Sequence, residues 1–286
     1  MADFETVVDA VADDRDALLG RLYEASLGMI DLVTVTIGDH LGLYRSLVDG
    51  GPATAPELAS RTATHPRYIR EWLEQQAVTG ILSVDNVAAD ADARRYSLSP
   101  GKAEVLLGNE SLAYFVPIAR MLIGSTGFLP EIERAFREGG GVSYSTLGAE
   151  VHDAIAHANR PMFMQLLGRE WFPAMPDVHA RLQADPPARV ADVGCGQGWS
   201  SVAMARAYPN ATVDGFDLDA GSIERARANA AAEGFSDRVR FAVRDAADPM
   251  LAGEYDLAIA FECVHDMSSP LTHFGQCEDW SKTTGS

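Results

Sequence analysis

Cysteine is scarce in this chain of 286 residues, which contains only Cys195, Cys263 and Cys277. Three is an odd number, and the sequence has neither a Cys-x-x-Cys pair nor histidines at metal-ligand spacing. This usage argues against a disulfide framework and a zinc site, and it is typical of a reducing compartment. We therefore expect a cytoplasmic protein without a metal centre.

The sequence also lacks a long uninterrupted apolar run. Its start does not combine a basic segment, an apolar segment and a small-residue cleavage site, so we predict no signal peptide. The most membrane-like stretch, residues 111–130, contains Pro117, Arg120, Gly124 and Gly127. A membrane span needs about 20 mostly uninterrupted apolar residues. This stretch is predicted to form buried helices, and no membrane partner is expected.

Basic residues are also few relative to acidic residues. The chain holds 23 Lys and Arg against 41 Asp and Glu, a net charge of −18, and both halves are acidic. Proteins that bind polyanions concentrate basic residues on one surface, so we predict no nucleic-acid partner. The length and the 47% hydrophobic content predict a globular chain of one large or two ordinary domains.

A glycine-rich stretch, residues 189–201, is the most informative part of the sequence. It reads Arg-Val-Ala-Asp-Val-Gly-Cys-Gly-Gln-Gly-Trp-Ser-Ser, an apolar run followed by Gly194, Gly196 and Gly198 and then by a helix-compatible segment. The pattern predicts a strand, a tight turn and a helix. Alternating glycines allow positive φ and close approach of a ligand to the main chain, beside the free N–H groups of a helix start.

The spacing of these glycines narrows the ligand. A dinucleotide fingerprint, G-x-G-x-x-G, would need a third glycine where Trp199 stands, so NAD is disfavoured. The pattern present is D-x-G-x-G-x-G, with Asp192 two residues before the first glycine. An acid on the ligand side favours a cationic ligand over a pyrophosphate.

Three further short apolar runs end in polar residues. Residues 213–217 end at Asp217, about 20 residues after the glycines, the usual separation of an acid that binds a ribose hydroxyl. The nearby Asp219 is either a second ligand or the cap of the next helix. Residues 238–243 precede Asp245, and residues 255–261 precede Glu262. These endings predict a ligand crevice at the carboxyl edge of a parallel sheet.

The loop and these acids resemble the class I S-adenosylmethionine-dependent methyltransferases. The resemblance implies a Rossmann-like α/β fold, S-adenosylmethionine as cofactor, and contact of Asp245 with the adenine amine. The predicted cofactor-binding residues are Asp192, Gly194, Gly196, Gly198, Asp217, Leu218, Asp245, Ala246 and Glu262.

The N-terminal third has the pattern of a winged helix. Apolar residues recur at helical spacing from Ala17, whereas residues 1–16 are acidic and expected to fray. Thr54-Ala-Pro-Glu57 predicts a capping box. A helix opening at His65-Pro66 is expected to bury Tyr68, Ile69 and Trp72, and residues 81–84 and 96–98 are expected to pair as a hairpin.

A winged helix suggests either DNA binding or dimerisation. Arg67 and Arg70 of the candidate recognition helix stand beside Glu71 and Glu74, so this surface has no net positive charge to displace counterions from phosphate. Dimerisation is favoured. The order of the two parts resembles bacterial small-molecule methyltransferases and plant-type O-methyltransferases, and this resemblance implies a homodimer paired through the first domain.

The predicted domains are a helical winged-helix domain at 1–100, connecting helices at 101–186 and a Rossmann-like domain at 187–286. The connecting helices are rich in methionine and aromatic residues, which suit core packing and also an adaptable pocket for a flat apolar substrate. The resemblance implies that they roof the active site.

The segment from Val264 to Ser269 resembles the His-Asp-Trp-Ser-Asp stretch of plant-type O-methyltransferases, with Met267 in place of tryptophan and Ser269 in place of the last acid. In that family the histidine is the general base, which implies a catalytic role for His265; a structural role is the alternative. After Pro270 the chain departs from the family, because residues 271–286 lack periodicity and apolar content. We therefore expect a truncated C-terminal end and an incomplete Rossmann-like domain without its last strands.

The sequence thus predicts an enzyme that transfers a methyl group to a hydroxyl or amine of a small molecule, with an aromatic or polyketide-like acceptor favoured. Two alternatives stay open. One is an S-adenosylmethionine-sensing winged-helix transcriptional regulator, and the other is a catalytically dead remnant that binds the cofactor.

Overall fold

The computed structural model describes residues 4–245 and 255–267. The chain forms two compact units, with the boundary between Ile123 and Gly124. The boundaries predicted at 100 and 186 stay predictions. Two sequence predictions, the cofactor contact of Ala246 and the truncated end after Pro270, lie outside the described residues.

The first unit is a helical domain with a small antiparallel hairpin. Its elements are α1 (Phe4–His40), α2 (Leu43–Asp49), α3 (Ala55–Thr62), α4 (Pro66–Val78), β1 (Ser83–Val84), β2 (Tyr96–Ser97), α5 (Pro100–Leu107) and α6 (Val116–Ser125). The capping box opens α3 as predicted: Thr54 N donates to Glu57 Oε2 at 2.9 Å, and Glu57 N donates to Thr54 Oγ1 at 3.4 Å. Val84 pairs with Tyr96 in the hairpin.

Two expectations for this unit were wrong. Helix α1 begins at Phe4 rather than near Ala17, because residues 4–19 contain no proline or glycine to interrupt it. Tyr68 is 74% exposed, whereas Ile69 and Trp72 are buried. The buried stripe of α4 follows the three- and four-residue steps from Ile69, and Tyr68 lies about 100° away from that residue around the helix.

The second unit begins with helices and ends in a parallel sheet. Its helices are α7 (Leu129–Glu138), α8 (Gly148–Met162), a π-helix (Phe163–Trp171), α9 (Pro176–Gln183), α10 (Trp199–Ala207) and α11 (Ala220–Ala232). Short 3-10 helices span Thr126–Phe128, Tyr144–Leu147 and Val264–Asp266. Its strands are β3 (Arg189–Val193), β4 (Thr212–Asp217), β5 (Val239–Val243) and β6 (Leu257–Ala260).

The described strands of the sheet are all parallel, in the order β5-β4-β3-β6. The central strand β3 places Val190 beside Val213 of β4 on one side and beside Leu257 of β6 on the other. Strand order reverses at β3, since the chain first builds outwards through β4 and β5 and then crosses to β6. Open α/β sheets bind ligands in the crevice above such a reversal. The predicted α/β class is confirmed. The candidate site therefore lies at the carboxyl ends of β3, β4 and β6.

The core of the second unit explains this arrangement. Val190, Val202, Val213, Ile223 and Ile259 are buried together between the strands and helices α10 and α11. A strand covered on both faces is buried at consecutive residues, which is the pattern of β3 from Val190 to Val193. Within the described residues, no helix is both long and apolar enough to cross a membrane.

Candidate active site

The glycine loop connects β3 to α10, and its three glycines all have positive φ, at 65° for Gly194, 50° for Gly196 and 79° for Gly198. Their surroundings differ. A Cβ at Gly198 would lie 2.6 Å from the Phe241 ring, and one at Gly194 would lie 2.6 Å from Cys263 Cβ. A Cβ at Gly196 would meet no protein atom within 4 Å. The outer glycines are therefore fixed by packing, and Gly196 faces open space.

Asp217 holds this loop from the end of β4. Gly196 N donates to Asp217 Oδ2 at 2.9 Å, and Asp219 N donates to Asp217 Oδ1 at 2.9 Å. Burial raises the pKa of this carboxyl, and the two backbone donors oppose that rise. A single carboxylate thus joins the β3–α10 loop to the turn after β4, beside the open space at Gly196.

The side chain of Asp192 is more deeply buried than expected for an acid that faces the ligand. Its side chain is 1% exposed, and Oδ2 accepts hydrogen bonds from Ser200 Oγ at 2.5 Å and Ser201 Oγ at 2.6 Å. Burial raises its pKa to about 6, against the lowering effect of the two serines. These bonds tie the end of β3 to the first turn of α10, and ligand contact by Asp192 stays a prediction.

The turn after β4 contains two further predicted residues. Asp219 caps α11, since its Oδ2 accepts from Ser222 N at 2.7 Å, the alternative role that the sequence left open for it. Leu218 is 69% exposed at the carboxyl edge of the sheet. An exposed apolar side chain beside Asp217 can cover one face of a bound ring.

The ends of β5 and β6 bring the other predicted side chains to the same edge. Asp245 follows β5 and is exposed. Glu262 follows β6 and has a φ of 52°, an uncommon conformation for a residue other than glycine that is enriched at functional sites. The thiol of Cys263 donates to Val193 O at 3.2 Å, and burial raises its pKa to about 12. A protonated thiol bonded to backbone is no nucleophile.

His265 lies in the 3-10 helix directly beyond β6. Its side chain is 67% exposed, and Nε2 lies 3.6 Å from Asp266 Oδ1. An accessible imidazole can accept a proton from a bound hydroxyl. The structure thus places His265 past the end of β6, as its position in the sequence predicts, and its catalytic role stays a prediction.

Sequence reasoning missed a pair of residues from the helical part of the unit. The Tyr144 ring stacks on His152 with ring centres 4.1 Å apart, and His152 Nε2 donates to Tyr144 O at 2.8 Å. Burial, followed by the nearby Asp217, raises the pKa of Tyr144 to about 12, so its hydroxyl keeps its proton. Neither residue belongs to a local motif, and the separation of about 65–75 residues from Asp217 hid the contact.

An aromatic cluster connects the π-helix with β6. Phe163 and Trp171 each pack against Phe261, with ring centres 5.4 Å and 5.8 Å apart. Phe163 is buried, and the other two rings are partly exposed. π-Helical turns are frequent at functional sites. Among the described residues, no group of three His, Cys, Asp or Glu side chains is arranged to hold a metal ion.

Two family models match this chain. Residues 28–107 match a model described as an Rv2258c-like winged HTH domain, and residues 190–285 match a model described as a methyltransferase domain. Residues 190–285 are a methyltransferase domain. Its matched range begins inside β3 and contains the glycine loop, Asp217, Glu262 and His265.

The curated relatives are methyltransferases that match only part of this chain. The malonyl-[acyl-carrier protein] O-methyltransferase of Halalkalibacterium halodurans is 26% identical over 141 residues, which are 48% of this chain and 49% of the relative. The trans-aconitate 2-methyltransferase of Streptomyces coelicolor is 40% identical over 90 residues, 32% of this chain and 26% of the relative. The chain therefore spans about half the length of the first of these relatives and about a quarter of the second.

Solved structures share both parts of the fold. A structure of the mitomycin 7-O-methyltransferase MmcR has a TM-score of 0.66 at 19% identity, over 91% of this chain and 75% of that one. NcsB1 from neocarzinostatin biosynthesis, solved with S-adenosyl-L-homocysteine and 1,4-dihydroxy-2-naphthoic acid, has a TM-score of 0.61 at 19% identity, over 89% and 76%. At these identities the likeness establishes the fold, a winged-helix domain followed by a Rossmann-like α/β domain.

Proposed function

We propose that this protein binds S-adenosylmethionine on the glycine loop and transfers its methyl group to a hydroxyl of a small molecule. The observation that carries the proposal is the open space at Gly196, whose amide is bonded to Asp217 Oδ2. A ligand that lies against this backbone meets the Asp217 carboxylate, an acceptor for ribose hydroxyls, and the exposed apolar Leu218. The described residues therefore fit a nucleoside with a cationic group.

Bound S-adenosylmethionine supplies a methyl group already activated by a sulfonium. The protein's task is to hold an acceptor oxygen in line with that group, and positioning of this kind lowers a barrier by up to about 7–11 kcal/mol. In this proposal Asp217 and the loop amides bind the cofactor. Asp245 and Glu262 lie at the neighbouring strand ends, and the buried Asp192 fixes the first turn of α10.

The acceptor is proposed to be a flat, largely apolar molecule such as an aromatic or polyketide-like hydroxyl compound. Partly exposed Trp171 and Phe261 support this choice, because such rings bind a planar apolar surface. The naphthoic acid in the NcsB1 structure and the mitomycin substrate class of MmcR belong to those proteins and point in the same direction.

His265 is proposed as the general base that removes the acceptor's proton. Its exposed imidazole lies just beyond β6, and an accessible imidazole at the carboxyl edge of the sheet can accept a proton. We further propose a homodimer formed through the first domain, since α1 exposes Leu18, Leu19, Leu22, Tyr23 and Ile30 to solvent.

Calorimetric titration of the purified chain with S-adenosyl-L-homocysteine, S-adenosylmethionine and NADH tests the proposal. We expect the chain to bind S-adenosyl-L-homocysteine and S-adenosylmethionine and not to bind NADH. Transfer of a labelled methyl group to 1,4-dihydroxy-2-naphthoic acid, compared with a panel of apolar phenols, then tests the acceptor class. Binding of NADH alone would overturn the cofactor assignment.

A further inference from the structure

Two adjacent residues of α8, His152 and Asp153, reach two different loops at the carboxyl edge of the sheet. Successive helical residues point about 100° apart, so neighbours on one turn can contact separate elements. Asp153 reaches the glycine loop, and His152 reaches the turn that begins α11. The proposed cofactor site lies between these two loops.

Asp153 restrains the glycine loop through Gln197. Gln197 Nε2 donates to Asp153 Oδ1 at 2.6 Å, and the Gln197 side chain is buried. The carbonyl of Gln197 accepts from Asn229 Nδ2 at 3.0 Å, and Arg225 lies 3.6 Å from Asp153 Oδ2. Gln197 directly follows Gly196, the glycine of the loop that no neighbouring atom packs against, so this contact fixes a segment whose backbone is otherwise permissive.

His152, the residue before Asp153, lies beside the second loop. Its Nδ1 lies 3.8 Å from Asp219 Oδ2, the oxygen that caps α11, and its Nε2 holds the carbonyl of Tyr144. Asp217 already connects the two loops from inside the cleft, through the amides of Gly196 and Asp219. The Asp153–Gln197 bond adds a restraint on the glycine loop from α8.

We propose that Asp153 is a positioning residue that fixes the glycine loop through Gln197, and so preorganises the cofactor cleft. The inference rests on the proposed function for the identity of the ligand. Asp153 acts on the cleft through the Gln197 side chain and the loop backbone beside it, without contact to the cofactor. Since α8 leads directly into the π-helix with Phe163, the helix that supports the aromatic cluster also holds the cofactor loop.

A double-mutant cycle tests the contact that this proposal depends on. Asp153→Ala and Gln197→Ala are each expected to weaken S-adenosyl-L-homocysteine binding about tenfold, the size of one lost hydrogen bond to a charged group. The double variant should be no weaker than either single variant, because the two side chains act through one bond. Asp153→Asn keeps an acceptor oxygen for Gln197 and should restore most of the affinity. Glu150→Ala, which removes an exposed acid from the same helix, should bind like the parent.

Hydrogen exchange at Gly196 and Gly198 supplies a readout that needs no ligand. These amides should exchange faster in Asp153→Ala than in the parent and Asp153→Asn. Parent-like affinity and exchange in Asp153→Ala, or additive losses in the double variant, would overturn the inference. A parent chain that fails to bind S-adenosyl-L-homocysteine would overturn the proposed function instead, and the exchange comparison would still decide whether Asp153 holds the loop.

Discussion

At the scale of single residues, Asp217 has the clearest role, because its two oxygens each accept a backbone amide on either side of the open space. Replacing Asp217 with Asn substitutes an NH2 group for one acceptor and sets it against a backbone donor. We expect cofactor binding to weaken by about 1–3 kcal/mol, the cost of leaving such groups unpaired. Calorimetry measures it, with the exposed Asp237→Asn as control; equal affinity of parent and variant would refute the assignment.

His265 belongs to catalysis rather than to binding in this proposal. His265→Asn is expected to lower turnover by about 10²–10⁴-fold, the usual contribution of a general base, and to leave cofactor affinity unchanged. Single-turnover methyl transfer with the best acceptor measures the first quantity, and calorimetry measures the second. Undiminished turnover would make the exposed histidine a bystander.

Asp192 predicts a pH dependence of stability. Burial raises its pKa in the folded state to about 6, from an unfolded value of 3.8. The folded protein therefore binds more protons than the unfolded chain between about pH 4 and pH 6, so the contribution of this group to stability is complete below pH 4 and is lost as pH rises through 6. The loss is on the order of 3 kcal/mol, from about two pKa units. Chemical denaturation at pH 4, 5, 6 and 7 measures this change, and Asp192→Asn should lack it. Parallel curves for parent and variant would contradict the shift.

Much of the residue-level site could be predicted from sequence, because the acids and glycines at strand ends follow a local pattern. Asp217, Asp219 and His265 lie at the carboxyl edge for that reason. His152, Asp153 and Tyr144 could not be found this way. Their partners lie roughly 44–75 positions away in the chain, and no spacing rule connects a helix to loops so distant.

At the scale of elements, the glycine loop separates a structural from a ligand-facing role. Gly198→Ala would drive a Cβ to 2.6 Å from Phe241 and should destabilise the second unit. Gly196→Ala meets no protein atom, so its cost should be only the left-handed backbone strain of about 1–2 kcal/mol, while its methyl enters the space proposed for the cofactor.

Thermal unfolding and calorimetry together distinguish these two substitutions. Gly196→Ala should lose cofactor affinity at nearly parent stability, and Gly198→Ala should lose stability first. A Gly196→Ala variant that binds the cofactor like the parent would show that the ligand does not approach this backbone.

Local sequence rules succeed or fail by element for identifiable reasons. The capping box of α3 and the strand endings in the sheet depend on neighbours within a few residues, and both are found. The hydrogen bonds of the π-helix span one residue more than those of an α-helix, and the segment packs against α10, which periodicity does not encode. The exposed Tyr68 shows the related limit, because apolar character alone does not choose the buried face of α4.

At the scale of the whole molecule, the charges of the winged helix argue against a regulator that binds DNA. Arg67 pairs with Glu71, Arg94 lies 3.3 Å from Glu74, and Arg95 lies 2.9 Å from Glu57. Arginines already paired with acids release few counterions from phosphate. A gel-shift titration at low salt is expected to show no sequence-preferring complex; a salt-sensitive complex with a preferred site would favour the regulator.

The same domain has an apolar surface suited to a second copy of the chain. Leu18, Leu22, Leu19 and Tyr23 recur at four-residue steps along α1, and all are exposed. Exposed apolar stripes of this length favour association with a partner that covers them, and a helix of 37 residues can supply a long antiparallel or crossed contact.

The parent is therefore expected to be a dimer by light scattering, and Leu19→Glu with Leu22→Glu should yield a monomer by placing charges inside the contact. Val87→Glu adds the same charge on an exposed apolar residue of the wing loop and should stay dimeric. A monomeric parent, or a doubly substituted chain that still dimerises, would mean that α1 is not the surface through which two copies pair.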